Sequence, residues 1–149
     1  MSIYPKLFIP GPTHVPENIM EIFSTPQIGH RTEEISELIE SILIDIKDLL
    51  YTNNNVYLVS HAATGLWEMG LKNSVQKGVV HCVNGAFSSK WVKVSKACNY
   101  KHNIIDYEWG KGVKADDIDK MLSTGEYDVL AMVHNETSTG VMSNLKEIS

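Results

Sequence analysis

The sequence predicts an α/β fold, a three-layer αβα arrangement around a mostly parallel sheet, on three observations. Short apolar runs alternate with segments of helical periodicity from residue 56 to residue 133. The connections between them are short, as in strand–helix–strand units. The runs are nearly continuous in apolar residues rather than alternating, the pattern of strands covered on both faces.

The elements follow in order. Residues 5–16 hold four of the five prolines and predict an extended or turning arm, because proline fixes φ and removes a donor. Residues 17–24 fit a short helix that Thr25-Pro26 breaks. The clearest helix follows, with Ile35, Leu38, Ile39, Ile42, Ile46, Leu49 and Leu50 at 3.6-residue spacing. Thr32 is its expected N-cap, Glu33 and Glu34 suit its first turn, and Asn53–Asn55 end it. Val56–Ser60 reads as a strand and Gly65–Ser74 as a helix. Val79–Val83 reads as a strand, and Ser88–Ala97 as a helix with Trp91, Val94 and Ala97 on one side. Ile104–Trp109, Asp116–Leu122 and Asp128–Val133 read as strand, helix and strand.

Composition narrows the function. At 149 residues, with 43% hydrophobic and 21% charged residues, this is one ordinary domain's worth of chain. The net charge of -5 comes with no basic stripe, which argues against nucleic acid. No apolar run approaches the roughly 20 residues of a membrane span. The N-terminus lacks a signal-peptide layout, so the expectation is a cytoplasmic protein. Cys82 and Cys98 lack metal-ligand spacing and are expected to be reduced and structural. The six histidines show no zinc-type spacing, and no Gly-x-Ser-x-Gly elbow is present.

Three segments at expected strand ends carry candidate chemistry, on the edge where α/β proteins bind ligands. Ser60-His-Ala-Ala-Thr-Gly65 opens a helix with small residues. Its free N–H groups favour a phosphate, and Thr64 adds a hydroxyl; an ordinary strand–helix turn with a capping Thr fits as well. Asn84-Gly-Ala-Phe-Ser-Ser89 places Phe87 above the sheet edge, where an aromatic ring can stack on a flat ligand or simply join the core. His134-Asn-Glu-Thr-Ser-Thr-Gly-Val141 gathers polar side chains after the last strand. There Thr137, Ser138 and Thr139 can orient a ligand, and Glu136 can act as a base or cap backbone N–H groups; a polar turn fits equally. Arg31, the only arginine, suits a carboxylate or phosphate contact or a surface role.

These pieces, in order, resemble the class V, fold-type I pyridoxal-phosphate aminotransferases, in particular the alanine–glyoxylate and serine–pyruvate group. The matching segments are Pro10–Pro16, Gly29-His-Arg31, Ala63–Glu68, Val83–Phe87, Trp109-Gly110 and His134–Val141. The resemblance implies the N-terminal part of a fold-type I large domain. It makes residues 1–16 an arm, residues 17–149 an incomplete cofactor-binding domain, and the C-terminal small domain absent. It implies pyridoxal 5'-phosphate as cofactor, with Ala62, Ala63 and Thr64 at its phosphate, Phe87 stacked on its ring and Thr137 near its phenolic oxygen. It implies amino transfer from a small amino acid (alanine or serine) to a 2-oxo acid (glyoxylate or pyruvate), in a homodimer.

The same resemblance places the pyridine-nitrogen aspartate, the Schiff-base lysine and the substrate-carboxylate arginine beyond Ser149. None of the twelve lysines lies in the matching lysine motif. The chain alone is therefore expected to be inactive. A non-catalytic binding module, or one half of a split enzyme, is the other reading.

Overall fold

The computed structural model describes residues 5–149. Its contacts divide the chain into two compact units, Met1–Val59 and Ser60–Ser149.

In the first unit, residues 5–16 carry neither helix nor strand, while residues 1–4 of the expected arm lie outside the described residues. Helix α1 spans Glu17–Ile22. It stops short of Thr25 because the residue before a proline is driven out of helical geometry. The Ser24 and Thr25 hydroxyls donate back to the carbonyls of Glu21 and Ile22, both at 2.7 Å. Helix α2 spans Glu33–Leu49 and is capped as expected, with Ile35 N donating to Thr32 Oγ1 at 3.4 Å.

Its other end is not made by the asparagines. Tyr51 takes a left-handed φ of 51°. Tyr51 N then donates to Asp48 O at 3.2 Å and Thr52 N to Lys47 O at 3.1 Å, the paired bonds of a Schellman stop. The apolar stripe on α2 is present, yet none of its residues is buried.

The expected strand Val56–Ser60 is corrected: these residues form no strand. Apolar character brings a segment toward a core, but a strand also needs a ladder partner for its N–H and C=O groups. No backbone partner is recorded for this run among the described residues.

The second unit contains α3 (Ala63–Ser74), β1 (Val79–Val83), α4 (Ala86–Ala97), β2 (His102–Asp106), α5 (Ala115–Leu122), β3 (Val129–Ala131), β4 (Asn135–Glu136), β5 (Val141–Met142) and α6 (Leu145–Ile148). Strands β2, β1 and β3 form a parallel sheet in that order, with β1 central and buried at all five positions. Its register pairs Val79 with both His102 and Val129. Alternate residues of β1 face opposite layers. Val79 packs with Leu71, Ala131, Trp91 and Val94 on the α3–α4 side. Cys82 packs with Val113, Ile118, Leu122 and Leu130 on the α5 side. Helices therefore cover both faces of the sheet, which is the expected three-layer α/β architecture.

Several boundaries and one helix face differ from expectation. β2 stops at Asp106, because β1 offers its last carbonyl, Val83 O, to Tyr107 N at 2.8 Å. Trp109 instead sits in a turn with Gly110 at φ 93°. β3 is only Val129–Ala131, the length over which β1 pairs with it. The buried face of α4 is Ser88, Val92 and Ser95, with Trp91 and Val94 half-buried and Ala97 exposed. Ser95 is buried because His81, inside the central strand, needs it: His81 Nε2 and Ser95 Oγ lie 2.7 Å apart. Burial pushes the His81 imidazole down to about 4, so it is neutral at pH 7.

The start of β3 is tied to the start of β1. The Asp128 carboxylate accepts from Gln76 N at 2.9 Å, Lys77 N at 3.0 Å and Gly78 N at 3.1 Å. These bonds, that from Gly78 foremost, hold its carboxyl below the usual range.

Candidate cofactor site

Ala62–Thr64, Phe87 and Thr137 lie in the second unit, at the starts of α3 and α4 and in the segment after β3, on the helix-entry edge of the sheet. In a strand–helix–strand unit the helix starts where the strands end, so α3, α4 and the segment after β3 all open toward this edge.

The segment after β3 is a two-stranded antiparallel hairpin, with Asn135 paired to Met142 and Glu136 to Val141. Gly140 takes the left-handed conformation, φ 70°, that lets the chain reverse. Thr139 N and Gly140 N donate to Glu136 O at 3.1 and 2.9 Å. At the far end of the hairpin the buried Ser143 hydroxyl accepts from Val113 N at 3.2 Å, joining it to the loop after β2. Asn84 Nδ2 donates to Lys111 O at 3.0 Å and ties the loop after β1 to that same segment.

Glu136 is the centre of this arrangement. It is fully buried, yet it points at the first turn of α4. Oε1 accepts from Phe87 N at 3.2 Å, and Oε2 accepts from Ser88 N and Ser88 Oγ, both at 2.9 Å. Ser138 donates to Oε1 through its N at 3.3 Å and its Oγ at 2.6 Å. Ser138 Oγ also accepts from Ala86 N at 2.9 Å. Burial pushes the Glu136 carboxyl up, but the bonds from Ser138, Ser88 and Phe87 together outweigh it and hold the carboxyl below its ordinary value. Glu136 is therefore ionised at neutral pH and caps α4. A carboxylate already surrounded by donors makes a poor proton acceptor, so the general-base alternative loses to the capping one.

Gly85, the N-cap of α4, has an extended φ of 175° that any residue adopts. Glycine is required there by crowding: a Cβ would collide with Glu136 Cγ, lying 2.5 Å from Cδ and 2.6 Å from Ser138 Oγ. Neither this close approach nor the burial of Ser88 is among the sequence-based expectations.

The two helix starts are thus unlike. The first N–H groups of α4 are occupied by a side-chain hydroxyl and a buried anion, which would repel a phosphate. α3 begins after Ala62, with no side-chain cap. Gly65 N is engaged by Ala62 O at 2.8 Å. No hydrogen-bond partner is recorded for the half-buried Thr64 hydroxyl among the described residues. Ala62, Ala63 and Thr64 therefore present small side chains, a hydroxyl and a positive helix end, the donor set a phosphate needs.

Phe87 and Thr137, distant in sequence, are brought together through Glu136. Phe87 remains 44% exposed and is free to stack. Thr137 is exposed between two pinned neighbours, Glu136 and Ser138. No hydrogen bond among the described residues joins Ala62–Thr64 to either; α3 meets α4 by packing, with Trp67 stacked on Trp91 at 5.3 Å. Arg31 lies in the first unit and is exposed. Among the described residues no group of three or more His, Cys, Asp or Glu is placed to hold a metal ion, and no helix is long and apolar enough to cross a membrane.

No family model matches the chain. Among solved structures, the alanine–glyoxylate aminotransferase of Nostoc sp. superposes with a TM-score of 0.82 at 24% identity, over 97% of this chain and 41% of that one. The fold is therefore that of an aminotransferase of this type. An uncharacterized aminotransferase of Methanocaldococcus jannaschii is 33% identical over 147 residues, covering 95% of this chain and 38% of that protein. The L-aspartate–glyoxylate aminotransferase of Paracoccus denitrificans is 32% identical over 154 residues, covering 99% of this chain and 39% of that protein. The chain is thus similar, over nearly its whole length, to one part of these aminotransferases. It spans a little over a third of the length of these curated relatives.

Proposed function

We propose that this chain forms the phosphate-and-ring cradle of a pyridoxal 5'-phosphate aminotransferase, within the large domain to which residues 17–149 contribute. The observation that carries the reading is the contrast between the two helix starts. α4 is closed by Glu136 and Ser138, while α3 is left uncapped behind Ala62. In the cradle, the N–H groups of Ala63 and Thr64 and the Thr64 hydroxyl hold the phosphate. Phe87 covers one face of the ring and keeps water from it. The Thr137 hydroxyl donates to the ring's phenolic oxygen. The cofactor, when bound, supplies a ring that takes up the electron pair released at the amino acid's α-carbon.

The whole enzyme would pass an amino group from a small amino acid, alanine or serine, to a 2-oxo acid, glyoxylate or pyruvate. The word glyoxylate in the name of the Paracoccus relative supports the acceptor; the donor rests on the sequence resemblance. A homodimer in the cytoplasm fits the same reading.

The test is a comparison of pyridoxal 5'-phosphate with unphosphorylated pyridoxal, followed by quenching of tryptophan fluorescence. Trp67 and Trp91, stacked between α3 and α4, are the reporters. The phosphate form is expected to bind at least tenfold more tightly, a charge-assisted contribution of roughly 1.5–3 kcal/mol. Thr64→Glu, which places a carboxylate at the helix start, removes that preference. Equal affinities for the two forms would defeat the assignment of Ala62–Thr64.

A further inference from the structure

We infer that Glu136 is the positioning residue of the cofactor site, one buried carboxylate that sets both Phe87 and Thr137. This role rests on the cofactor reading above. Phe87, in the first turn of α4, and Thr137, in the turn between β4 and β5, lie 50 positions apart, and no hydrogen bond joins them among the described residues. Glu136 bonds the backbone of one and is the chain neighbour of the other. Its Oε1 receives Phe87 N at 3.2 Å, which fixes where the ring leaves α4. The same Oε1 receives Ser138 N and Oγ, which fixes the turn from the residue following Thr137. Thr137 is thereby held from both sides although its own side chain is exposed.

The fit admits no slack on the α4 side, because the carboxylate occupies the space a Cβ at position 85 would need. Donors come from three directions, namely the α4 backbone, Ser88 Oγ and Ser138. A rotation of the carboxylate therefore exchanges one bond for the loss of another. Glu136 touches no reacting atom. It acts through the two residues it holds, and its negative charge also keeps a phosphate away from α4.

Two measurements on the protein test this, with the variants Glu136→Gln and Ser138→Ala. The first is amide hydrogen exchange without cofactor. Glu136→Gln turns an acceptor oxygen into an N–H₂ facing donors, so the Phe87 and Ser88 amides should exchange at least tenfold faster. Ser138→Ala, the milder change, should accelerate the Ala86 amide and leave Ser88 slow.

The second is a double-mutant cycle on pyridoxal 5'-phosphate affinity between Glu136→Gln and Phe87→Leu. Each single change is expected to weaken binding roughly tenfold, and the pair by little more than either alone, because a misplaced ring has nothing left to lose. Additive losses, with wild-type binding intact, overturn the positioning role. Slow Phe87 and Ser88 amides in Glu136→Gln overturn the capping geometry beneath it. A wild-type protein that binds no cofactor overturns the functional reading and this role with it, while the exchange data still report on the cap.

Discussion

Gly85→Ala is the sharpest perturbation available, because the added atom is one methyl group and its neighbours are known. The backbone at Gly85 is extended, so alanine adopts it without torsional strain. The cost is steric. The new Cβ lies 2.5 Å from Glu136 Cδ and 2.6 Å from Ser138 Oγ, where ordinary contact begins at 3.4 Å. Glu136 must retreat by roughly 1 Å, which stretches the bonds from Phe87 N and Ser88 N toward 4 Å and out of hydrogen-bonding range.

Two charge-assisted bonds at about 1.5–3 kcal/mol each set the gross loss. Partial relaxation of the hairpin and the unfolded-state benefit of alanine over glycine, about 0.4–1 kcal/mol, bring the net to about 3 kcal/mol. Gly70→Ala is the internal control. Gly70 lies inside α3 with no atom within 4 Å of its added Cβ. The same chemical change there should stabilise by about 0.5–1 kcal/mol. Urea unfolding followed by circular dichroism reads both. With a slope near 2 kcal/mol per molar, Gly85→Ala should lower the midpoint by about 1.5 M and Gly70→Ala should raise it slightly. If Gly85→Ala shifts the midpoint no more than the control, Glu136 does not occupy the place described for it.

Two further outcomes are expected. Tyr51, 97% exposed at φ 51°, strains the end of α2. Tyr51→Gly should therefore stabilise that unit by about 1 kcal/mol, seen as slower amide exchange in the last turn of α2. His81 has its folded pKa pushed below its unfolded value, from 6.5 to about 4, by burial. The unfolded state thus binds a proton first, and stability is complete above pH 6.5 and lost as pH falls toward 4. The loss amounts to about 3 kcal/mol. His81→Gln should flatten the stability profile between pH 6.5 and 4 and leave in place the acid loss that comes from Glu136, whose carboxyl is held below its ordinary value. An unchanged profile in His81→Gln would count against a neutral buried imidazole.

Much of the fold is legible in the residues because its signals are local. Thr32 caps α2 through a neighbour three positions on, and the apolar run of β1 is its own evidence of burial. The layered order follows from strand–helix alternation alone. What is not legible depends on partners elsewhere. Val56–Ser60 has the composition of a strand, but composition names no ladder neighbour. Trp109 extends an apolar stretch past the point where β1 has carbonyls left to offer. His81 hides in an apolar run, and the reason it is tolerated, Ser95, sits on the next helix.

The site divides the same way. Phe87 and Thr137 stand out by residue type and place. The choice between base and cap for Glu136 is made by donors on Phe87 and Ser88, 49 and 48 positions away. Only the exclusion of a Cβ at Gly85 carries a trace in the sequence, as a glycine where a turn alone does not require one.

The order of the sheet has a consequence for synthesis. β1 is the first strand of its unit to leave the ribosome and also the central one. Its first neighbour, β2, arrives after one helix, so the α4 side can assemble while β3 is still being made. The other flank of β1, with every position destined for burial, stays open until Val129–Ala131 emerges. During that interval the nascent chain exposes an adhesive apolar edge. Asp128, arriving just ahead of β3 with three backbone donors waiting on Gln76–Gly78, is the clasp that closes it in register.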